Sequence, residues 1–261
     1  MNRYIAAVRD YTADVMRSLG FLSRFELSAR WFEGFDGQYT LAARGFPVAG
    51  LLATLPGAVL AATLALLGMP APLIAVLSVA TLIASTGALH EDGLADSFDG
   101  LGRSTREERL QAMRDHALGV FGATALLLVT ISRLACVTIL CASPIGVVIG
   151  WSLSAAAGRG AMVYLWFSST AASASGAAHS AGRPNARAMR FAIASCAVIA
   201  LPTLWWFGPW ALVVATVLCA GTVRLVRKTF VDPIGGHTGD ILGATALLCE
   251  TVTLLSLAAF L

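Results

Sequence analysis

The sequence predicts an all-α, polytopic integral membrane protein: a bundle of about seven transmembrane helices behind an N-terminal interfacial amphipathic segment. Three observations carry this. The chain of 261 residues is 57% hydrophobic and only 13% charged, with a mean hydropathy of +0.76, whereas soluble domains carry about twice that charge. Apolar stretches of span length, about 20 residues, recur along it. The charges collect in every second connection, as a chain threading back and forth through a bilayer requires.

Residues 1–45 are read as the interfacial segment and residues 46–261 as the transmembrane helical domain. Ile5, Val8, Val15 and Leu19 recur at helical spacing among charges, and Trp31 and Phe32 follow beside Arg24 and Arg30. Aromatic and basic residues mixed in this way suit a helix lying in the headgroup region. Arg3, Arg9, Asp10, Asp14 and Arg17 leave no apolar run for a signal peptide. The basic residues are too few for a nucleic-acid surface, so the surroundings expected are membrane lipids and no nucleic acid.

The first span is read as Phe46–Leu67, reversed by Gly68-Met69-Pro70, and the second as Ala71–Leu89. Arg103–His116 is charged and suggests a short surface helix. Leu118–Cys141 and Pro144–Phe167 are the third and fourth spans. Ser168–Ala188, rich in Ala, Ser and Gly, is expected to be mobile or ordered by ligand. Met189–Phe207 is the fifth span and the sixth ends near Val226. Arg227–Gly239 is polar, and Asp240–Leu261 is the seventh span. Lys and Arg mark the inner side, so the N-terminus and the polar connections face the cytoplasm and the C-terminus lies outside. Small residues such as Gly158, Gly160, Gly243 and Ala244 allow close helix contact, and with it a homo-oligomer.

Chemistry concentrates in His90–Gly102, H-E-D-G-L-A-D-S-F-D-G-L-G, at the end of the second span. On a helix Asp92, Asp96 and Asp99 share one face. Three like charges there call for a cation, and Mg²⁺ completed by a phosphate is the economical one. Asp92 and Asp96 are read as metal ligands, and Asp99 as a ligand or proton acceptor. Glu91, one residue off that face, is a weaker ligand, and His90 is either a proton acceptor or an interfacial histidine.

Other candidates lie at the same membrane face. In D-P-I-G-G-H-T-G-D, Gly236, His237 and Thr238 are placed to meet an anion at a helix N-terminus. Asp240 either caps that helix or joins the carboxylates. Arg114 and Asp115 precede the third span. Arg133, Arg159 and Glu250 lie within spans, where ionisable residues are expensive. They form either an Arg–Glu pair holding helices together or a pocket in which the arginines bind anionic oxygens. The five cysteines show no metal-ligand spacing and read as buried small hydrophobes.

These motifs resemble the cobalamin synthase family, adenosylcobinamide-GDP ribazoletransferase. The resemblance rests on F-L-S-R-F at Phe21–Phe25 and H-E-D-G-L-A-D-S-F-D-G at His90–Gly100. It continues with M-R-D at Met113–Asp115, followed by Gly119 and Gly122, then G-G-H-T-G-D-I-L-G-A at Gly235–Ala244 and Glu250 beyond. The chain departs from the family pattern at E-L-S after Phe25 and at G-A-A-H-S-A-G-R-P-N before the fifth span, so contacts there do not carry over. The resemblance implies a Mg²⁺-dependent enzyme of the bacterial inner membrane. In its reaction the 5′-hydroxyl of α-ribazole, or of α-ribazole 5′-phosphate, attacks adenosylcobinamide-GDP and GMP leaves. The alternatives are another Mg²⁺-dependent membrane phosphotransferase or a prenyltransferase, and at greater distance a transporter. The prenyltransferase would want a second Asp-rich motif, where only Asp232 and Asp240 stand. The transporter would want polar residues through the full depth and related halves.

Overall fold

The computed structural model describes residues 2–115, 117–174 and 177–261; His116, part of the Arg103–His116 stretch, lies outside them. The helices are α1 Asn2–Leu22, α2 Phe46–Leu66, α3 Ala71–Thr86, α4 Leu89–Asp99, α5 Arg106–Ala112, α6 Val120–Leu140, α7 Pro144–Ser168, α8 Ala177–Ser180, α9 Ala186–Trp206, α10 Gly208–Val226, α11 Asp232–Ile234 and α12 Gly239–Ala258. Among the described residues six helices are long and apolar enough to cross a membrane, and α3 with α4 makes a seventh only as a broken pair bent by 86°.

The break corrects the second span. Ala71–Leu89 reads as one apolar run, but α3 has 16 residues, about 24 Å of helix against a hydrocarbon core of about 30 Å. Gly87 (φ +63°) and Ala88 (φ +59°) are both left-handed. Glycine adopts that conformation freely, and alanine at a cost of roughly 1–2 kcal/mol. Arg24 N–H donates to Ser85 O at 2.8 Å, bringing the segment after α1 against this corner. The chain therefore turns, and α4 runs across the end of the bundle.

α7 and α12 form the centre. The most apolar stretches of these two helices are 67% and 78% buried, against 22% for α9 and α10, which face lipid. α7 packs on α2, α9 and α12, and α12 packs on α4, α6, α7 and α10. Glycines permit the closest approaches: a Cβ on Gly158 would strike Ala246 O, and one on Gly50 would lie 2.9 Å from Arg159 Cδ. The small residues named from sequence thus serve packing within the chain. Ser78 ties three helices: its hydroxyl donates to Gly57 O at 2.9 Å and accepts from Trp151 Nε1 at 3.0 Å.

α1 lies along the bundle end. Val15, Leu19 and Leu22 are buried while Tyr4, Ile5 and Val8 are exposed, so only the second half of the expected apolar face packs on protein. Asp14 accepts from Arg44 Nε at 2.6 Å and from Arg17 Nη1 at 3.3 Å.

Two connections are more structured than their composition suggests. α10 continues through a π-helical stretch, Arg227–Val231, into α11, giving one apolar helical run from Gly208 to Ile234. In the small-residue connection, Ala171 forms a bridge with His237. Gly182 O accepts from Trp166 Nε1 at 2.9 Å, and Ala181 O from Tyr39 N at 2.7 Å. Its partners are protein groups, which composition does not reveal.

Candidate active site

The site grows from the crossing of α4 and α12. A Cβ on Gly93 would lie 2.7 Å from Asp240 O and 3.1 Å from Asp240 Cα, so the two backbones touch there. Gly243, one turn further along α12, faces Leu89, His90 and Gly93 at 3.5–3.7 Å. Below the crossing Leu94, Ala125, Ala244 and Leu247 form a small apolar cluster. The contact places Asp92 of α4 within electrostatic reach of Asp240 of α12. Asp92 is exposed and Asp96 half-buried, one turn along the same face.

Asp99 is engaged differently. Its Oδ2 accepts from Gly119 N and its Oδ1 from Gly122 N, both at 2.8 Å. Gly119 is the N-cap of α6 and contributes no side chain, so a carboxylate from another helix satisfies the orphan amides and suits the helix dipole. A side chain at Gly119 or Gly122 would collide with that carboxylate.

Glu91 faces the bundle interior. Its Oε1 accepts from Arg133 Nη1 at 2.9 Å. Arg133 Nη2 donates to Glu250 Oε1 at 2.8 Å, and the other Glu250 oxygen takes Arg159 Nη1. Arg133, Arg159 and Glu250 are at most 2% exposed. This neutral tetrad joins α4, α6, α7 and α12, and the Arg133 guanidinium also lies 5.5 Å from the Trp151 ring. Arg159 sits nine residues before the end of α7, about 13 Å inside. Both arginines are thus committed to carboxylates of the chain, and neither is presented at the polar end. His90 is buried near both guanidiniums, with Nε2 unpartnered among the described residues.

The Gly-rich loop is held by the segment after α7. His237 N donates to Thr170 O at 2.8 Å and Ala172 N to His237 O at 2.9 Å. Gly236 packs against that backbone, where a Cβ would be 2.5 Å from Thr170 O. Thr238, not Asp240, is the N-cap of α12, its hydroxyl accepting from Ile241 N at 3.2 Å. Ser169 Oγ donates to Leu165 O at 2.6 Å, so the 2.9 Å contact between Ser169 Oγ and His237 Nδ1 has the imidazole as donor. His237 Nε2 is then a buried lone pair with no partner among the described residues. Burial, and secondarily Arg183, lowers the His237 pKa to about 4.

Arg106 was not singled out from the sequence. Its Nε donates to Ile234 O at 2.8 Å and its Nη2 to Ala172 O at 2.7 Å, fastening the Gly-rich loop to its neighbour. In sequence it is one cation of a charged surface helix, and nothing in its spacing marks it. Arg114 and Asp115 are exposed after α5, with Asp115 Oδ1 accepting from Ala117 N at 3.1 Å.

No group of three or more His, Cys, Asp or Glu side chains among the described residues is close enough to hold a metal by itself. With Asp99 turned to α6 and Glu91 to Arg133, Asp92, Asp96 and Asp240 remain at the open face. Mg²⁺ is usually held by one or two carboxylates with the rest of its shell left to phosphate and water, so Asp92 with one acidic neighbour on this face, and not all three together, fits that ion.

Fold and site together define a polytopic helical membrane enzyme whose polar site is assembled at one end of the bundle, where a transverse acidic helix meets a glycine-rich helix start. The family model described as cobalamin-5-phosphate synthase matches residues 14–258, and the chain belongs to that family, transferases of cobalamin biosynthesis. It is 41% identical over 258 residues to the adenosylcobinamide-GDP ribazoletransferase of Rhizobium etli (strain CIAT 652), covering 96% of this chain and 98% of that one. A protein of the same name from Sinorhizobium sp is 41% identical over 257 residues, again covering 96% and 98%. One from Brucella ovis is 35% identical over 255 residues, covering 94% and 95%. No solved structure matches the chain.

Proposed function

We propose that the chain joins adenosylcobinamide-GDP to α-ribazole, or to α-ribazole 5′-phosphate, giving adenosylcobalamin or its 5′-phosphate and GMP. The 5′-hydroxyl oxygen forms a bond to the phosphorus on the cobinamide side. The bond from that phosphorus to the bridging oxygen breaks, and GMP departs with the electron pair. The observation that carries this reading is the Gly93–Asp240 contact, which brings Asp92 of α4 within electrostatic reach of Asp240 beside the Gly-rich loop.

The roles follow from what each group already touches. Asp92 with either Asp96 or Asp240 would hold Mg²⁺, which when bound would neutralise charge gathering on the diphosphate oxygens. The proton of the attacking hydroxyl passes to water at this open face. The first turn of α12 after Thr238 is the anion-facing helix start, Gly236 and His237 hold the loop that leads into it, and Arg114 adds positive charge at the rim. Asp99 and Arg106 position: the first fixes the start of α6, the second the loop. Catalysis of phosphoryl transfer is mainly placement plus charge stabilisation, which is what these contacts supply. The site faces the cytoplasm of a bacterial cell, since the polar connections carry the basic residues.

The test is turnover by the full chain reconstituted in vesicles, supplied with adenosylcobinamide-GDP, α-ribazole and Mg²⁺, following GMP. One GMP per corrinoid product, abolished by chelator and restored by Mg²⁺, is expected. Intact, inserted protein releasing no GMP would overturn the assignment.

A further inference from the structure

Away from the acidic face, a slot of about 860 Å³ lies between α7, α9, α10 and α12. α7 packs on α9 and α12, and α10 packs chiefly on the same two helices, so α7 and α10 face each other across a gap. Small side chains line it, among them Ala161, Ala197, Ala215 and Ala220, too short to fill the space between the helices. The slot borders α9 and α10, the spans most exposed to lipid, and runs from Arg224 and Arg227 at the polar end to Leu212. Arg224 to Leu212 is about 18 Å of helix, close to the roughly 15 Å of hydrocarbon in one leaflet.

The mouth is cationic. Arg224 and Arg227 line it from α10. Arg190 is exposed one helical turn from Ile193, a lining residue of α9. Arg227 is partly engaged, donating to Ser168 O at 3.4 Å and standing 3.7 Å from Asp232. Arg190 Nε donates to Ala186 O at 3.3 Å. Arg224 is exposed and makes no side-chain hydrogen bond or ion pair among the described residues.

We infer that this slot holds an acyl chain of one anionic phospholipid from the adjoining leaflet, with the headgroup phosphate on Arg224 between Arg190 and Arg227. A zwitterionic lipid would fill the apolar part but bring no net negative charge to the rim. A soluble anion would meet the rim and leave the apolar part empty. Arginine suits phosphate because its planar fork donates two parallel hydrogen bonds, and juxtamembrane cations favour anionic lipid. The inference is independent of the transfer reaction.

The full chain, purified in detergent and stripped of lipid, is offered phosphatidylglycerol or phosphatidylcholine with identical 18-carbon chains, and native mass spectrometry counts the lipid retained. One phosphatidylglycerol per chain is expected, preferred over phosphatidylcholine by about tenfold and not displaced by inorganic phosphate. The triple variant R190Q/R224Q/R227Q should retain phosphatidylglycerol no better than phosphatidylcholine. Ala220→Phe, which fills the slot, should lose both lipids, and Ala197→Phe serves from the opposite wall if circular dichroism shows Ala220→Phe misfolded. Equal retention of the two lipids by the unmodified chain, or undiminished phosphatidylglycerol in the triple variant, would overturn the inference.

Discussion

Gly93 of α4 rests against the backbone of Asp240 of α12, with room for no side chain between them. That contact is backbone to backbone, so no rotamer change can relieve an added methyl. Gly93→Ala should push the two helices apart and separate Asp92 from Asp240. A loss of about 1–3 kcal/mol of stability is expected from overpacking, with GMP release falling at least about tenfold. Gly243→Ala, whose methyl would sit at ordinary contact distance, should be near neutral in both. Thermal unfolding in detergent and the GMP assay read the two variants side by side; equal behaviour would break the argument.

Asp92 and Asp99 of α4 should separate in their effects. Asp92→Asn leaves packing alone and removes charge from the open face. Turnover should fall by about 100-fold or more with the unfolding midpoint unchanged. Asp99→Asn, which loses one of two acceptors for the Gly119 and Gly122 amides, should lower stability by about 1–2 kcal/mol. A midpoint unchanged in Asp99→Asn would remove it from the capping role.

Glu250 takes a guanidinium on each oxygen. Glu250→Gln leaves two buried arginines with only Glu91 opposite them. Removing one partner of a buried ion pair costs about 3–5 kcal/mol, so this variant should insert poorly or unfold early. Arg159→Met leaves the Glu91–Arg133–Glu250 chain in place and should be the milder change. Expression level and detergent unfolding rank the pair; Glu250→Gln proving the more stable would contradict the tetrad.

Protonation of His237 supplies the pH dependence. Its folded pKa of about 4 lies below the unfolded value of about 6.5. Between those values the unfolded chain binds a proton that the folded chain does not, so stability falls as pH drops from about 6.5 to 4. The loop borders water, so the loss is about 2 kcal/mol rather than the full shift. Unfolding midpoints measured from pH 7.5 to 4.5 should show this slope in the native chain and a shallower one in His237→Asn.

The apolar spans and the N-terminal helix are legible from hydropathy and periodicity, because a bilayer demands long apolar helices. That Asp92 and Asp96 share one helix face is legible, because helical periodicity puts them there. The right-angle turn at Gly87–Ala88 is not, since Ala71–Leu89 is continuously apolar and alanine carries no turn signal. The partners of Glu91, Arg133 and Glu250 come from three separate helices, and spacing along one chain does not reveal such meetings. Asp99 shares the periodicity of its neighbours, but the glycines that claim its carboxylate lie on α6. Arg106 has the composition of a solvated surface residue while its donors bind two distant carbonyls.

The tetrad also sets an order of assembly. Ribosomal synthesis delivers Glu91 first, then Arg133 and Arg159, and Glu250 only with the final helix. Until that helix emerges, the growing chain carries one more buried cation than anion, at an insertion cost of about 2.5–3.5 kcal/mol per arginine. α12 is therefore the latch, since only Glu250 brings the second counter-charge to the two guanidiniums.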